Sequence, residues 1–322
     1  MAVYTEVPDD ELTEFIESYG LGELLSYKGI AEGVENTNYI VHTSNGPYFL
    51  TLYEKRVNEE ELPFFLDLME YMSEEGLSCP TPVRDKNRQM LRRLSGRPAA
   101  FITFLQGMHV KRPQPMHCQE LGAALADFHL KGQGFSGRRD NSLSVEDWRP
   151  LFNKVGEQAN TIQPGLSELI TEELNFLEQN WPENLPSGII HADLFPDNVF
   201  FLQNKVSGLI DFYFSCYDML AYDIAICLNA WCFEIDGSFN VTKANALLTG
   251  YNNVRTIEQS EVTALPVLAR GAAMRFLLTR VYDWINTPED ALVSPKDPAE
   301  YLRKLSFHQH VESAGEYGIP AI

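Results

Sequence analysis

The chain has 322 residues, enough for about two domains or one bilobal unit with a sizeable core. Its composition, 44% hydrophobic, 22% charged and 11% aromatic, excludes bulk disorder, collagen-like repeats and coiled-coil fibres. Asp and Glu total 45 against 25 Lys and Arg, and the formal net charge of −20 makes nucleic acid and anionic membranes poor partners. A small phosphorylated ligand stays compatible with that charge, because a local site can be positive inside a negative field.

The first residues, MAVYTEVPDDELTEF, hold neither a positive n-region nor an apolar h-region, so no secretory leader is expected. Leu12, Phe15, Ile16 and Tyr19 recur at helical spacing and predict an amphipathic helix over 10–19. A polar segment with two glycines follows over 28–38. Segments 39–43 and 48–53 then flank Ser44-Asn45-Gly46, whose Asn-Gly pair signals a hairpin. Leu62, Phe65, Leu66 and Met69 predict a second helix over 59–72, with Pro63 tolerable only in its first turn and Gly76 at its exit. Strands are expected over 90–94 and 98–105, the latter far short of the roughly 18 apolar residues that cross a bilayer.

Past Gly107, Leu121, Leu125 and Phe128 mark a helix, and the remainder reads as mainly helical. The exception is a strand pair over 199–202 and 206–210, joined through Asn204-Lys205. Five cysteines, at 79, 118, 216, 227 and 232, form no CxxC pair and no even-numbered framework. Reduced, buried thiols and a cytoplasmic location are the expectation.

The chemistry concentrates in His191-Ala-Asp193-Leu-Phe-Pro-Asp197-Asn198-Val, followed by Gly208-Leu-Ile-Asp211-Phe212. Asp193 and Asn198 stand five apart in a turn-forming stretch, and Asp211 ends an apolar strand. A hairpin of that size can bring Asn198 and Asp211 together while Asp193 faces the same space. Two hard oxygen donors beside a third carboxylate suit Mg²⁺ held on a polyphosphate, with a base for an attacking hydroxyl. A lone loop Asp is usually only a solvated turn residue; two ordered motifs, each beside a strand, are a more specific signal.

These two motifs resemble the catalytic and metal-binding loops of the aminoglycoside phosphotransferase and choline kinase group, relatives of the protein kinases. The family pattern is His-Gly-Asp-x-x-x-x-Asn followed by Ile-Asp-Phe or Ile-Asp-Trp, from which Ala192 departs mildly. The resemblance implies an α+β, bilobal, protein-kinase-like fold. Its N-terminal nucleotide-binding lobe, with an antiparallel sheet, would span 1–105, and a larger, mainly helical catalytic and substrate-binding lobe 106–322. It also implies Asp193 as catalytic base, Asn198 and Asp211 as Mg²⁺ ligands, His191 as a loop-holding residue and Asp223, in Tyr222-Asp223-Ile-Ala225, as the brace of the catalytic loop.

By the same resemblance, 29–38 would cover the ATP phosphates through backbone N–H groups, with Gly29, Gly33, Asn36 and Asn38 as contacts. Residues 102–107 would form the hinge that pairs with adenine, through Thr103 and Leu105. The strand cation that usually meets the α- and β-phosphates is missing: Thr51 stands at that position, with Lys55 or Arg56 as possible substitutes. Glu61 would be the acidic partner on the next helix, in competition with Glu59 and Glu60.

Over almost the full length the sequence is similar to the homoserine kinase branch of that family. The similarity rests on Gly33-Val-Glu-Asn-Thr-Asn38, Phe49-Leu-Thr-Leu-Tyr-Glu54, Leu62-Pro-Phe-Phe-Leu66, Gly96-Arg-Pro-Ala-Ala100, 191–198 and 275–283. Thr51 belongs to the look of this branch. The implied reaction converts ATP and L-homoserine into O-phospho-L-homoserine and ADP, on the route to threonine. A zwitterionic substrate wants a cation for its carboxylate and an acceptor for its ammonium group; Arg275 and Arg280 are candidates for the first, with Arg275 preferred, and Asp218, Glu234 and Asp283 for the second. Because Ala192 replaces the Arg of the protein-kinase HRD motif, a constitutively competent enzyme is expected. The rivals are a sibling kinase acting on choline, ethanolamine, an aminoglycoside or methylthioribose, a non-catalytic nucleotide-binding module and, more remotely, a metal hydrolase. Tyr213, Phe214, Tyr217 and Trp231 could form the aromatic cage that choline requires.

Overall fold

The structure is a computed structural model that describes residues 4–30, 36–54, 58–288 and 294–319. Contacts divide the chain into two compact units, 1–107 and 108–322.

In the first unit α1 (Asp9–Tyr19) starts after the extended Pro8 with three acids in its first turn, and stops where Gly20 takes a left-handed φ of 70°. Its buried stripe of Leu12, Phe15, Ile16 and Tyr19 shares a core with Val41, Leu50, Leu52 and Phe101 of the sheet. The strands are β1 (Leu24–Gly29), β2 (Thr37–Thr43), β3 (Gly46–Leu52), β4 (Arg92–Leu94) and β5 (Arg97–Thr103), with α2 (Leu62–Glu74) between β3 and β4. They form one antiparallel sheet in the order β1-β2-β3-β5-β4. Strand β2 buries alternate residues, whereas β5 is buried continuously from Pro98 to Ile102.

Three expectations change here. Strand β1 lies mostly where no element was expected and takes in only the first two residues of the glycine segment; as an edge strand with no fully buried residue it carries no apolar alternation to reveal it. Residues 59–61 form a single 3₁₀ turn capped by the Asn58 side chain, and the α-helix proper starts at Leu62 with Pro63 in its first turn. Strand β5 ends at Thr103, two residues before the expected 105.

The second unit contains α3 (Pro115–Gly132), α4 (Val145–Asn153), α5 (Leu166–Asn180), β6 (Ser187–Ile190), β7 (Val199–Leu202), β8 (Lys205–Leu209), β9 (Cys216–Met219), α6 (Leu220–Trp231), α7 (Val241–Asn252), α8 (Gln259–Asn286) and α9 (Pro298–His308). The β7–β8 hairpin turns at Gln203-Asn204, both with positive φ (52° and 63°), one residue earlier than Asn204-Lys205. A second antiparallel pair, β6–β9, was not legible because its strands are only four residues long. It is extended by Tyr217 N–H on the Arg139 carbonyl at 2.7 Å. Helices α3 and α7 cross at two glycines: a Cβ at Gly122 would overlap the Leu247 carbonyl, and one at Gly250 the Gln119 carbonyl.

By composition alone α8, with an 18-residue window of mean hydropathy 1.3, could cross a bilayer, but 61% of that window is buried inside the protein as core. All five cysteines are buried and none is in a disulfide.

Candidate active site

The segment between β6 and β7 is held by its own backbone. Asp223, fully buried in the first turn of α6, spends both carboxylate oxygens on it: Oδ2 accepts the His191 N–H at 2.7 Å and Oδ1 the Ala192 N–H at 2.9 Å. Burial alone would raise the Asp223 pKa, yet the hydrogen bonds that the carboxylate accepts from the His129 ring and the His191 N–H hold it below the usual carboxylate range. His129 Nε2–H donates to Oδ2 at 3.2 Å, so its Nδ1 accepts from the Tyr251 hydroxyl at 2.7 Å. Arg255 donates in turn to that hydroxyl at 3.1 Å and pairs with Glu261 at 3.0 Å.

Ala192 adopts φ 63°, a left-handed turn that the surrounding bonds enforce. Its carbonyl accepts from Arg275 Nη1 at 2.6 Å, and the Leu194 carbonyl accepts from the Trp231 indole at 2.8 Å. His191 is fully buried and donates from Nε2 to the Ile210 carbonyl at 3.0 Å, which ties the loop to the end of β8. Burial lowers its pKa, so it stays a neutral strut.

Within this frame the Asn198 side-chain amide donates to the Asp193 carbonyl at 2.7 Å and to Asp193 Oδ2 at 3.2 Å. The Asn198 carbonyl accepts the Ile210 N–H at 3.0 Å, placing Asp211 next across the hairpin base, itself at φ 63°. Asp193, Asn198 and Asp211 therefore come together. Burial pushes the Asp193 carboxyl up to about 8; the charges of Arg275 and Lys296 work against that rise, and Asp211 and Asp197 add to it. Crowded carboxylates with hard oxygens fit a divalent cation. Asn198 directs its N–H donors at Asp193, which leaves Oδ1 as a ligand beside the Asp211 carboxylate. Among the described residues no group of three or more His, Cys, Asp or Glu forms a metal cage. A cation at Asn198 and Asp211 would thus take its other ligands from phosphate and water, as Mg²⁺ does.

Arg275, expected to face the substrate carboxylate, is buried beneath the loop on the Ala192 carbonyl. Arg280 is also committed, to the Asp297 carbonyl at 3.0 Å and Glu300 at 2.6 Å. Asp218 lies on β9 with Oδ2 held by Asn141 at 2.7 Å; burial raises its pKa against that bond. Glu234 pairs with Lys243 at 2.7 Å. Trp231, fully buried on Leu194, cannot line a choline cage, and Tyr217 is covered by the Arg138 guanidinium 4.4 Å from its ring. His129 and Lys296 were missed: neither belongs to a motif, and both reach the loop only through the tertiary fold.

In the first unit Gly33, Lys55 and Arg56 lie outside the described residues. Gly29 closes β1 opposite Tyr39. The Thr51 hydroxyl donates to Asn38 Oδ1 at 2.8 Å, so a neutral pair fills the usual cation position. Asn36 Oδ1 accepts the Glu54 N–H at 3.3 Å. Thr103 donates its N–H to the Thr81 carbonyl at 2.9 Å, and its hydroxyl oxygen accepts the Thr81 N–H at 2.8 Å; Leu105 lies beyond the strand. Glu61 accepts from Asn58 at 3.4 Å, while Glu59 pairs with Arg93 at 2.6 Å.

A sheet-bearing unit, a helical unit and a clamped Asp-x₄-Asn loop followed by a strand-end Asp define a phosphotransferase of the protein-kinase-like kind. Residues 26–257 match the phosphotransferase enzyme family, and the chain belongs to that family. It is 60% identical over 321 residues, 100% of both chains, to the homoserine kinase of Parvibaculum lavamentivorans, and equally to that of Xanthobacter autotrophicus. The Rhizobium meliloti homoserine kinase is 58% identical over 99% of this chain and 98% of its own. Among solved structures, an amicoumacin kinase in complex with AMP-PNP and Ca²⁺ superposes with a TM-score of 0.71 at 16% identity, covering 95% of each chain. A Plasmodium vivax ethanolamine kinase reaches 0.66 at 14% identity, over 96% of this chain and 86% of its own. At such identities these structures speak for the bilobal kinase-like fold.

Proposed function

We propose that this chain is an ATP-dependent kinase of L-homoserine, producing O-phospho-L-homoserine and ADP for threonine synthesis. The observation that carries the reading is its full-length, 60% identity to proteins named homoserine kinase. The acid at the centre of the clamped loop is compatible with that chemistry. Unit 1–107 would hold the nucleotide, with Gly29, Asn36 and Asn38 toward the phosphates and Thr103 and Leu105 toward adenine. Unit 108–322 would hold the acceptor and the catalytic groups. An ATP-consuming enzyme with five reduced thiols suits the cytoplasm.

In this reading Asp193 orients the acceptor hydroxyl and takes its proton as the phosphoryl group transfers. The Asn198 amide steers the carboxylate, and Asp223, His191 and Arg275 hold the loop that carries it. Asn198 Oδ1 and Asp211 would hold Mg²⁺, which neutralises phosphate charge when bound. Asp218, fixed by Asn141, is the acceptor offered to the substrate ammonium.

The test is ADP release with MgATP across L-homoserine, L-serine, L-threonine, choline, ethanolamine and kanamycin. Turnover selective for L-homoserine supports the proposal. Preference for another alcohol would overturn the substrate, and silence on all of them with ATP still bound would overturn the kinase reading.

A further inference from the structure

Homoserine offers its hydroxyl to Asp193, and its carboxylate must then find a cation roughly 5 Å further along the molecule, the span of its four-bond backbone. Of the cations acting on Asp193, Arg275 is turned away onto the Ala192 carbonyl. Arg280, the other arginine of this neighbourhood, is tied to Asp297 and Glu300. Lys296 is different. It is exposed, just ahead of α9, and its backbone is fixed from the C-terminal side: the Asp297 side chain caps α9 through the Ala299 N–H at 2.9 Å, while the Asp297 carbonyl is held by Arg280.

The Lys296 ammonium lies 5.6 Å from the ring centroid of Phe195, two residues after Asp193. Phe195 is itself set by its N–H on the Asp193 carbonyl at 2.8 Å and by edge-on packing against Phe276, with centroids 5.0 Å apart. An aromatic face thus carries the ammonium beside the catalytic loop, and its charge reaches the Asp193 carboxylate. No ion pair with a described acid occupies it, so an anionic ligand meets a charge that is in place and hydrated only on its open side.

We propose that Lys296 receives the α-carboxylate of the acceptor and so selects an amino-acid alcohol over an amino alcohol lacking that group. The proposal rests on the homoserine reading above and deepens it. Phosphoryl transfer itself does not pass through this residue, which makes it a specificity determinant.

The experiment compares wild type, Lys296→Met and Lys296→Arg on L-homoserine and on L-homoserinamide, which keeps the hydroxyl and the ammonium but has no carboxylate charge. The expected result is a rise in KM for L-homoserine of about 10- to 100-fold in Lys296→Met, the size of a lost hydrogen bond to a charged group. KM for MgATP should hold, kcat/KM for the amide should barely change, and Lys296→Arg should recover part of the loss. Equal losses of kcat on both acceptors would place the lysine on the phosphoryl group and overturn the proposal. Unchanged kinetics would overturn it as well, by showing a solvated side chain. If wild type itself ignored L-homoserine and phosphorylated another alcohol, the functional reading would fall first and the carboxylate role with it. That failure is visible before any variant is assayed.

Discussion

Asp223 shows how much a single buried carboxylate can organise. Two backbone N–H groups and an imidazole satisfy it, so the left-handed turn at Ala192 costs no orphaned donor and Asp193 is presented from a fixed base. Asp193→Asn should lower turnover by roughly 10²- to 10⁴-fold, the usual contribution of a positioned base. ATP affinity measured by calorimetry should stay unchanged. His129→Leu should reduce kcat with little effect on either KM, because it removes a donor from Asp223 without touching a ligand; steady-state kinetics check this.

A second buried histidine acts on stability. His308 accepts from the Tyr317 hydroxyl at 2.7 Å and donates to Asn229 Oδ1 at 3.2 Å, since the Asn229 amide nitrogen already donates to two carbonyls. Burial drives its pKa from 6.5 down to about 3. The unfolded chain therefore binds a proton that the folded one refuses between those values, and the stabilisation present above pH 6.5 is lost as pH falls through that window. Urea unfolding should show about 2 kcal/mol lost between pH 7 and pH 5 through this group. His308→Gln should remove that component. Asp193, Asn198 and Asp211 could be grouped from the sequence because their spacing is local, whereas His129, and the hold of Arg275 on the Ala192 carbonyl, could not: these contacts span 94 and 83 residues.

At the scale of elements, α8 is the organiser of the second unit. Arg270, Arg275 and Arg280 recur every five residues, about 140° apart around a helix, so each points to a different neighbour. Arg270 pairs with Glu173 of α5, Arg275 holds the Ala192 carbonyl of the β6–β7 loop and Arg280 secures α9. The 140° spacing keeps Arg275 and Arg280 from sharing one ligand; that Arg275 turns beneath the loop depends on packing. The glycine crossing of α3 and α7 is a sharper constraint. Gly122→Ala should destabilise the protein by about 3 kcal/mol or more, at the upper end of overpacking, because the obstruction is backbone; urea midpoints measure it. Helices with a clean apolar stripe were legible, while β1, β6 and β9, short or at an edge, carry too little alternation to declare themselves.

For the whole molecule the net charge of −20 sets the field in which ligands arrive. It should oppose anionic MgATP and leave a zwitterionic acceptor nearly indifferent. Raising ionic strength from about 0.01 to 0.15 M shortens the screening length from about 30 to 8 Å. The kcat/KM for MgATP should therefore rise over that range while that for the acceptor stays flat, and a fall for MgATP would count against the argument. The clamp on the catalytic loop also sets a clock on the protein's birth. Ala192 is made 83 residues before the arginine that holds its carbonyl, so at 5–20 residues per second the loop waits roughly 4 to 17 s for its last support. Until then the nascent chain can carry every residue of the Asp-x₄-Asn motif and still lack the finished catalyst; competence arrives with α8.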